Sequence, residues 1–309
     1  MSLEKYSIVI PVRTMEGNPY LENILDALAK QTYRPEAVHL VVGDKRQGRA
    51  INYGVQQVLT KYIGTVDDDT EIDDPKLYEK LIKAMEADVS IGMGGAACPI
   101  PEHASNFQKK AIKEIPRRFF PVQYKNIDSD IVQHPCLVMP TKLFRAIDGE
   151  DEELIRGLDP VLRQKVRDAG KRVTVIADTW VYHLIPDSFV KLLIMYYRNG
   201  RGSGFAGKYY PEKILELTDG CKKDIFKKKR SLFYRILRRF LRLFSSLLKL
   251  KSLKFSTDIA YSAGVIKERM HPDYVLEPPE IEEIKMREKK NYPYKLFVHD
   301  VFLKEKNKN

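Results

Sequence analysis

The sequence predicts an α/β fold with a mainly parallel sheet, followed by a basic helical extension. Through the first half, short apolar runs alternate with stretches of helical hydrophobic spacing, the pattern of strand–helix–strand units. The second and third runs end at the acids Asp44 and Asp67. Charge is also segregated. Of 53 Lys/Arg and 42 Asp/Glu, the segment 222–254 holds thirteen bases and one acid, so the formal charge of +11 belongs to that segment and the rest is close to neutral.

The elements follow in order. Ser7 to Val12 is a strand, and 19–31 is an amphipathic helix with Leu21, Ile24, Leu25 and Leu28 on one side. Ala37 to Gly43 is a second strand ending at Asp44, and 49–59 is a helix. Tyr62 to Val66 is a third strand, 75–87 a helix, and Val89 to Gly94 a fourth strand. Residues 95–130, with several prolines and the pair Arg117-Arg118, read as an irregular, mobile loop region. A strand at 137–139 and a helix near 142–147 come next. A helix from Gly157 to Gly170 then leads to strands at 173–177 and 179–182, ending at His183.

The run Val66-Asp67-Asp68-Asp69 carries the most chemistry. Three consecutive carboxylates at the end of a buried strand repel one another, and a cation between them relieves the repulsion. Asp67-x-Asp69 places two hard oxygen ligands on one side of a loop, which suits Mg²⁺ or Mn²⁺ shared with a phosphate. The alternative is a solvated acidic turn with Asp74 capping the next helix, which accounts for Asp74 alone. A calcium loop of the EF-hand kind is excluded, because Ile72 and Tyr78 stand where glycine and a bidentate Glu are required. Ligands of parallel α/β sheets bind beyond the carboxyl ends of the strands, where Asp44 and Asp67 to Asp69 all lie.

Other classes recede. Cys98, Cys136 and Cys221 are odd in number and far apart, which argues for reduced thiols over disulfides or a zinc site. Met1 to Lys5 runs directly into the first strand, so a secretory signal is not expected. Nucleic-acid binding lacks a recognisable motif, and no such partner is expected.

Taken together, these residues resemble the family 2 glycosyltransferases of GT-A fold, over roughly residues 5–210. The pieces stand in the family's order: the opening Ile-Val-Ile-Pro-Val strand, the acid Asp44, the helix start Gly48-Arg49-Ala50-x-Asn52-x-Gly54, and Asp67-x-Asp69. Asp159, eleven residues before Gly170, then stands where the family has the aspartate of a Glu-Asp pair, and Val181-Tyr182-His183 follows. Leu158 replaces the Glu of that pair. The Gln-x-x-Arg-Trp motif of processive synthases is absent, so a non-processive enzyme is expected.

The resemblance implies inverting transfer of a sugar from a nucleotide-diphosphate donor, with Mg²⁺ or Mn²⁺. Asp69 and Asp67 would hold the metal, with His183 as a third ligand or, alternatively, a strand-end surface histidine. Donor contacts would come from Pro11, Arg13 and Arg49, from Asp44 to the nucleobase, and from Asp67 and Asp68. Arg198 and Arg201 would grip the phosphates, or form an exposed basic turn. Asp159 would be the general base for a hydroxyl of a glycan or lipid-linked acceptor, a role that an already ionised polyprenyl phosphate would not require. A sugar-nucleotidyltransferase should carry a glycine-rich loop after its first strand, yet 11–17 has a single glycine. A non-enzymatic basic interaction protein is the other alternative, and Leu158 is its best support.

From Leu232 to Leu250, apolar residues repeat at helical spacing among Arg235, Arg238, Arg239 and Arg242. Insertion would gain about 0.3–0.6 kcal/mol per apolar residue and lose about 2.5–3.5 for each arginine, so spanning a bilayer is unfavourable. Lying flat on an anionic membrane fits both halves of the pattern, and the cluster Lys227-Lys-Lys-Arg230 would strengthen it. Packing on the catalytic domain with a solvated basic face is the alternative. The expected organisation is a catalytic domain over 1–215, the basic segment over 216–256 and a helical or irregular extension over 257–309. The expected location is the cytoplasmic, inner face of a membrane.

Overall fold

The computed structural model describes residues 3–115, 119–215, 232–289 and 291–304. Arg117-Arg118 and the cluster Lys227-Lys-Lys-Arg230 lie outside the described residues, as do the side chains of Arg235 and Arg239. A nine-stranded mixed sheet has β1 (Tyr6–Val12) near its centre, flanked in parallel by β2 (Ala37–Val42) and β3 (Tyr62–Thr65). The chain steps from β1 to β2 on one side and then crosses back to β3 on the other. That reversal opens a crevice at the carboxyl ends of these strands. β4 (Ile91–Ala97), the two-residue β5 (Ile127–Asp128), β6 (Leu137–Pro140) and β7 (Arg172–Trp180) extend the sheet beyond β3. The two strands expected over 173–182 are thus one.

Helices cover both faces. Leu21, Ile24, Leu25 and Leu28 of α1 (Pro19–Ala29) share one core with Leu77, Tyr78 and Leu81 of α3 (Leu77–Ala87). The opposite core takes Ala50, Ile51 and Val55 of α2 (Gln47–Gln56), Phe144 of α5 (Thr141–Ala146), and Leu162 and Val166 of α6 (Leu158–Asp168). The region expected to be irregular holds α4 (Asn106–Glu114), fixed at its start by a Ser105–Gln108 capping box.

The C-terminal half departs most from expectation. Arg198 and Arg201 sit in a long helix, α7 (Phe189–Tyr209), and not in a turn. Glycine inside a helix ordinarily costs about 1 kcal/mol against alanine. Here it permits contact with α9 (Ser252–Met270): a Cβ at Gly200 would lie 2.0 Å from the Tyr261 carbonyl oxygen, and one at Gly264 2.1 Å from that of Tyr197. Between them in sequence, α8 (Leu232–Leu248) confirms the helical spacing expected there. Residues beyond 257 are not merely an extension. β9 (Lys295–Leu303) pairs in parallel with β2, and β8 (Ile281–Lys289) closes a hairpin on it, so the sheet of the catalytic domain is completed from the C-terminus.

Candidate active site

A cleft of roughly 540 Å³ lies at the carboxyl ends of β1, β2 and β3. Its wall brings together Pro11, Arg13, Asp44, Asp67, Asp68, Asp69, His183, Arg198 and Arg201 from five separate stretches of chain. Ligand atoms of Asp67, Asp69 and His183 all fall within 4.8 Å of one another, and His183 Nε2 is 3.1 Å from Asp69 Oδ1. Asp67 is hemmed in by protein, which pushes its carboxyl up to about 6 against the partial relief of His183 and His134. A carboxylate so reluctant to ionise calls for a cation, and two carboxylates with one imidazole form a donor set suited to Mg²⁺ or Mn²⁺. Gln47 Nε2 donates to Asp67 Oδ1 at 2.6 Å and so orients it from the start of α2.

Asp68 also lines the cleft and is held by a partner of its own. Asn18 Nδ2 donates to its Oδ2 at 3.2 Å and to its carbonyl oxygen at 3.3 Å, so Asp68 ties the acidic loop to the loop after β1. Burial, then the neighbouring Asp69, raises its carboxyl above the ordinary range.

Three of the expected donor contacts, Asp44, Arg49 and Arg201, have partners within the protein. Both Asp44 oxygens accept from Arg49 at 2.6 Å, and Arg46 N–H donates to Oδ1 at 2.9 Å. Arg49 is buried beneath the wall, and its role is to hold Asp44. The Asp44 carboxylate thus anchors the turn into α2 that carries Lys45 and Gln47, while still lining the cleft. Arg201 reaches the wall but is matched by buried Glu268 at 2.8 Å and by Asp273 at 3.1 Å, and its guanidinium lies 4.8 Å from the Tyr274 ring centre. Arg198 is exposed on the same helix and forms no ion pair among the described residues, which leaves it the better phosphate contact of the two.

Asp159 is delivered by a local device. Gly157 adopts φ +91° just before α6, a left-handed conformation that suits glycine, and places Asp159 in the first helical turn. The carboxylate is not part of the cleft wall, yet its charge reaches Asp67. His134 Nδ1 sits 2.7 Å from Asp159 Oδ1, and about a third of the Asp159 side chain stays exposed. Sequence reading missed His134, Gln47, Lys45, Arg156 and Tyr274. All but Gln47 and Lys45, which neighbour Asp44, come from stretches without motif, and Tyr274 belongs to the C-terminal region.

Residues 9–148 match the model of the family described as Glycosyl transferase family 2. Over residues 9–148 the chain is therefore similar to a family 2 glycosyltransferase domain, on a GT-A fold. Among solved structures it is similar to the mannosyltransferase PcManGT from Pyrobaculum calidifontis, solved with GDP-Man and Mn²⁺. That overlay has a TM-score of 0.56 and 12% identity and covers 89% of each chain. It is also similar to the catalytic domain of Drosophila β1,4-galactosyltransferase 7 in complex with xylobiose, with 13% identity over 98% of this chain and 95% of that one, at a TM-score of 0.46. At such identities the likeness is one of fold, and the fold assignment rests on the family match and the first overlay. No curated protein matches the sequence.

Proposed function

We propose that this protein transfers a sugar from a nucleoside-diphosphate donor to a hydroxyl of a glycan or lipid-linked acceptor, with inversion at the anomeric carbon. The observation that carries the reading is the convergence of Asp67, Asp69 and His183 in one cleft with the basic side chains of Arg13 and Arg198. The three ligands would hold Mg²⁺ or Mn²⁺, whose chemistry is Lewis-acid stabilisation of a departing diphosphate. The structural relative solved with GDP-Man and Mn²⁺ supports the same choice of donor class and metal. Arg198 and Arg13 supply cationic donors to the phosphates. Asp159, presented by α6, takes the acceptor proton, and a single displacement from the opposite face inverts the centre.

The enzyme is further proposed to lie peripherally on the cytoplasmic face of a membrane through α8. Phe233, Leu237, Phe240, Phe244, Leu247 and Leu248 recur at helical spacing and are all exposed. No helix among the described residues is long and apolar enough to cross a membrane. The charge of the 222–254 segment fits the anionic lipids of an inner leaflet.

Melting the protein with Mn²⁺ and a panel of nucleoside diphosphates tests the donor site. A ligand at a hundred times its dissociation constant stabilises by about 2.7 kcal/mol. A matching diphosphate should raise the melting temperature only with Mn²⁺, and Asp69→Ala should remove the effect without lowering the unliganded melting point, because Asp69 is exposed. A shift that survives EDTA, or one retained in Asp69→Ala, would overturn the metal assignment.

A further inference from the structure

His134 lies between β5 and β6, 3% exposed, with a carboxylate at each ring nitrogen: Glu150 Oε1 is 2.7 Å from Nε2, and Asp159 Oδ1 is 2.7 Å from Nδ1. A neutral imidazole has one N–H and one lone pair. It would set that lone pair against one of the two anions. The imidazolium carries a proton on both nitrogens and meets both carboxylates, so it is the form this arrangement favours. The buried charge is matched locally. Glu150 and Asp159 are the anions, and His134 and the buried guanidinium of Arg163 are the cations, with Asp130 and Arg167 balancing one another beyond.

The surrounding elements hold this unit in place. Thr65, at the end of β3 and two residues before Asp67, donates its hydroxyl to the His134 carbonyl at 3.2 Å. Asn52 of α2 accepts from Glu150 N–H at 2.9 Å and donates to its carbonyl at 3.1 Å. Gly149, at φ +44°, keeps this contact possible, because a Cβ there would come within 2.4 Å of Asn52 Oδ1. The family-like Asn52 thus seats Glu150 behind His134. The His134 backbone N–H also donates to Asp159 Oδ1 at 2.9 Å, so both described bonds converge on one oxygen and neither uses Oδ2.

We propose that His134, as an imidazolium bridging Glu150 and Asp159, is a positioning residue that pins Asp159 by Oδ1 and leaves Oδ2 to receive the acceptor proton. This rests on the reading of Asp159 as the general base. The proton of the attacking hydroxyl passes to Oδ2 as the new glycosidic C–O bond forms. The electron pair of the breaking sugar–phosphate bond leaves with the diphosphate. Burial pushes the Asp159 carboxyl up, but the charge and hydrogen bonds of His134, helped by Arg163, outweigh it and hold the group well below the usual carboxylate range. Burial would likewise strip the proton from His134, and its two carboxylate partners reverse that. Leu158, where the family has a glutamate, is packed among apolar side chains, so the second carboxylate behind the base comes from Glu150 instead.

The test compares His134→Gln, Glu150→Gln and Asp159→Asn in the full-length enzyme at saturating Mn²⁺. In the wild type, the ¹⁵N signals of His134 should remain those of an imidazolium up to pH 8. His134→Gln should lower kcat about tenfold or more with donor KM within about twofold, a part of what a general base is worth. Its acid limb should also move up by about one pH unit or more, because an Asp159 without its cation binds a proton more readily. Glu150→Gln should move the limb in the same direction by less, and it carries the test if His134→Gln does not fold. A neutral His134 at pH 7 overturns the proposal. So does a wild-type pH profile and kcat in whichever variant folds, beside an inactive Asp159→Asn. An Asp159→Asn variant with wild-type turnover overturns the base reading itself and points to an acceptor that arrives ionised.

Discussion

Asp44 and Arg49 are joined by two hydrogen bonds of 2.6 Å between side chains that are 0% and 2% exposed. The pair spans the step from the end of β2 into α2 and so fixes the loop from which Lys45 and Gln47 reach the cleft. Gln47 in turn holds Asp67, which puts this buried pair one contact away from the proposed metal.

Breaking one half of the pair should cost more than removing both halves. Arg49→Met leaves a buried carboxylate without its cation, a change that typically costs about 3–5 kcal/mol. Adding Asp44→Asn to it removes the orphaned charge and should restore a good part of the loss. Thermal or urea unfolding of the wild type, the two single variants and the double variant reads this directly. A double variant less stable than Arg49→Met would show that the pair is not the source of the effect.

Asp67 gives the metal site a pH dependence with a definite sign. Its folded carboxyl is pushed up to about 6 while the unfolded chain keeps the ordinary value near 4. Without metal the protonated form is favoured in the fold, so this group's contribution to stability is present at low pH and declines as pH rises from about 4 to about 6. A divalent ion binds only the carboxylate, so proton and metal compete. The apparent Mn²⁺ affinity should be flat above pH 7 and weaken toward tenfold per pH unit below about 6, measured by calorimetric titration. An affinity unchanged between pH 7 and pH 5 would remove Asp67 from the ligand set.

The strands and acids of the first half were legible because both signals are local. Continuous apolar runs fix β1, β2 and β3, and the acids where those runs stop must lie together once the strands are parallel. His183 was legible for the same reason, as the residue at which the run 179–182 ends. What the sequence left unseen depended on distant partners. The ion pair of Arg201 with Glu268, 67 residues away, carries no local sequence signal. The close approach of α7 and α9 at Gly200 and Gly264 likewise depends on residues far apart in sequence. The pairing of β9 with β2 is equally invisible, since an exposed edge at β2 and a C-terminal strand carry no label for each other. Ser105 and Gln108 did carry a local helix-start signal, and the prolines around them masked it.

The C-terminal hairpin should be the acid-sensitive part of the sheet. His39 of β2 and His299 of β9 are buried, with ring centres 5.3 Å apart and Nδ1 of one 3.0 Å from Nε2 of the other. One bond between two neutral rings is satisfied, whereas two imidazolium rings would repel. Burial, reinforced by His299, lowers His39 from 6.5 to about 4, while Asp300 partly offsets the burial of His299. A histidine depressed in the fold stabilises above its unfolded value and loses that contribution as pH falls from about 6.5 to 4, worth about 3 kcal/mol at full protonation. Amide exchange along Lys295–Leu303, corrected for intrinsic rates, should therefore accelerate at pH 4.5 relative to pH 7.5 more than in β1. His39→Gln should flatten the difference. Equal protection of β9 at both pH values would leave the pair without this role.

The two components of the proposed membrane contact predict different signatures. Phe240 and Phe244 are 65% and 53% exposed on α8, so replacing both by Ser should leave the melting point of the soluble enzyme unchanged. It should weaken binding to anionic vesicles even at low salt, since two rings are worth about 3–6 kcal/mol at full burial. Replacing Arg235, Arg238, Arg239 and Arg242 by Gln should instead remove the salt-sensitive part, because exposed charges are screened beyond about 8–10 Å at physiological ionic strength. The arginine change has a second effect that can be separated. Arg242 also bridges to Asp258 of α9 at 3.0 Å, so some loss of helix docking is expected from that position alone. An Arg242→Gln single variant isolates it. Flotation with neutral and anionic vesicles at two salt concentrations, beside melting curves, distinguishes the contributions. A helix that packs on a protein surface in place of lipid would reverse the pattern, with the Phe→Ser enzyme melting lower and the wild type failing to float on anionic vesicles at low salt.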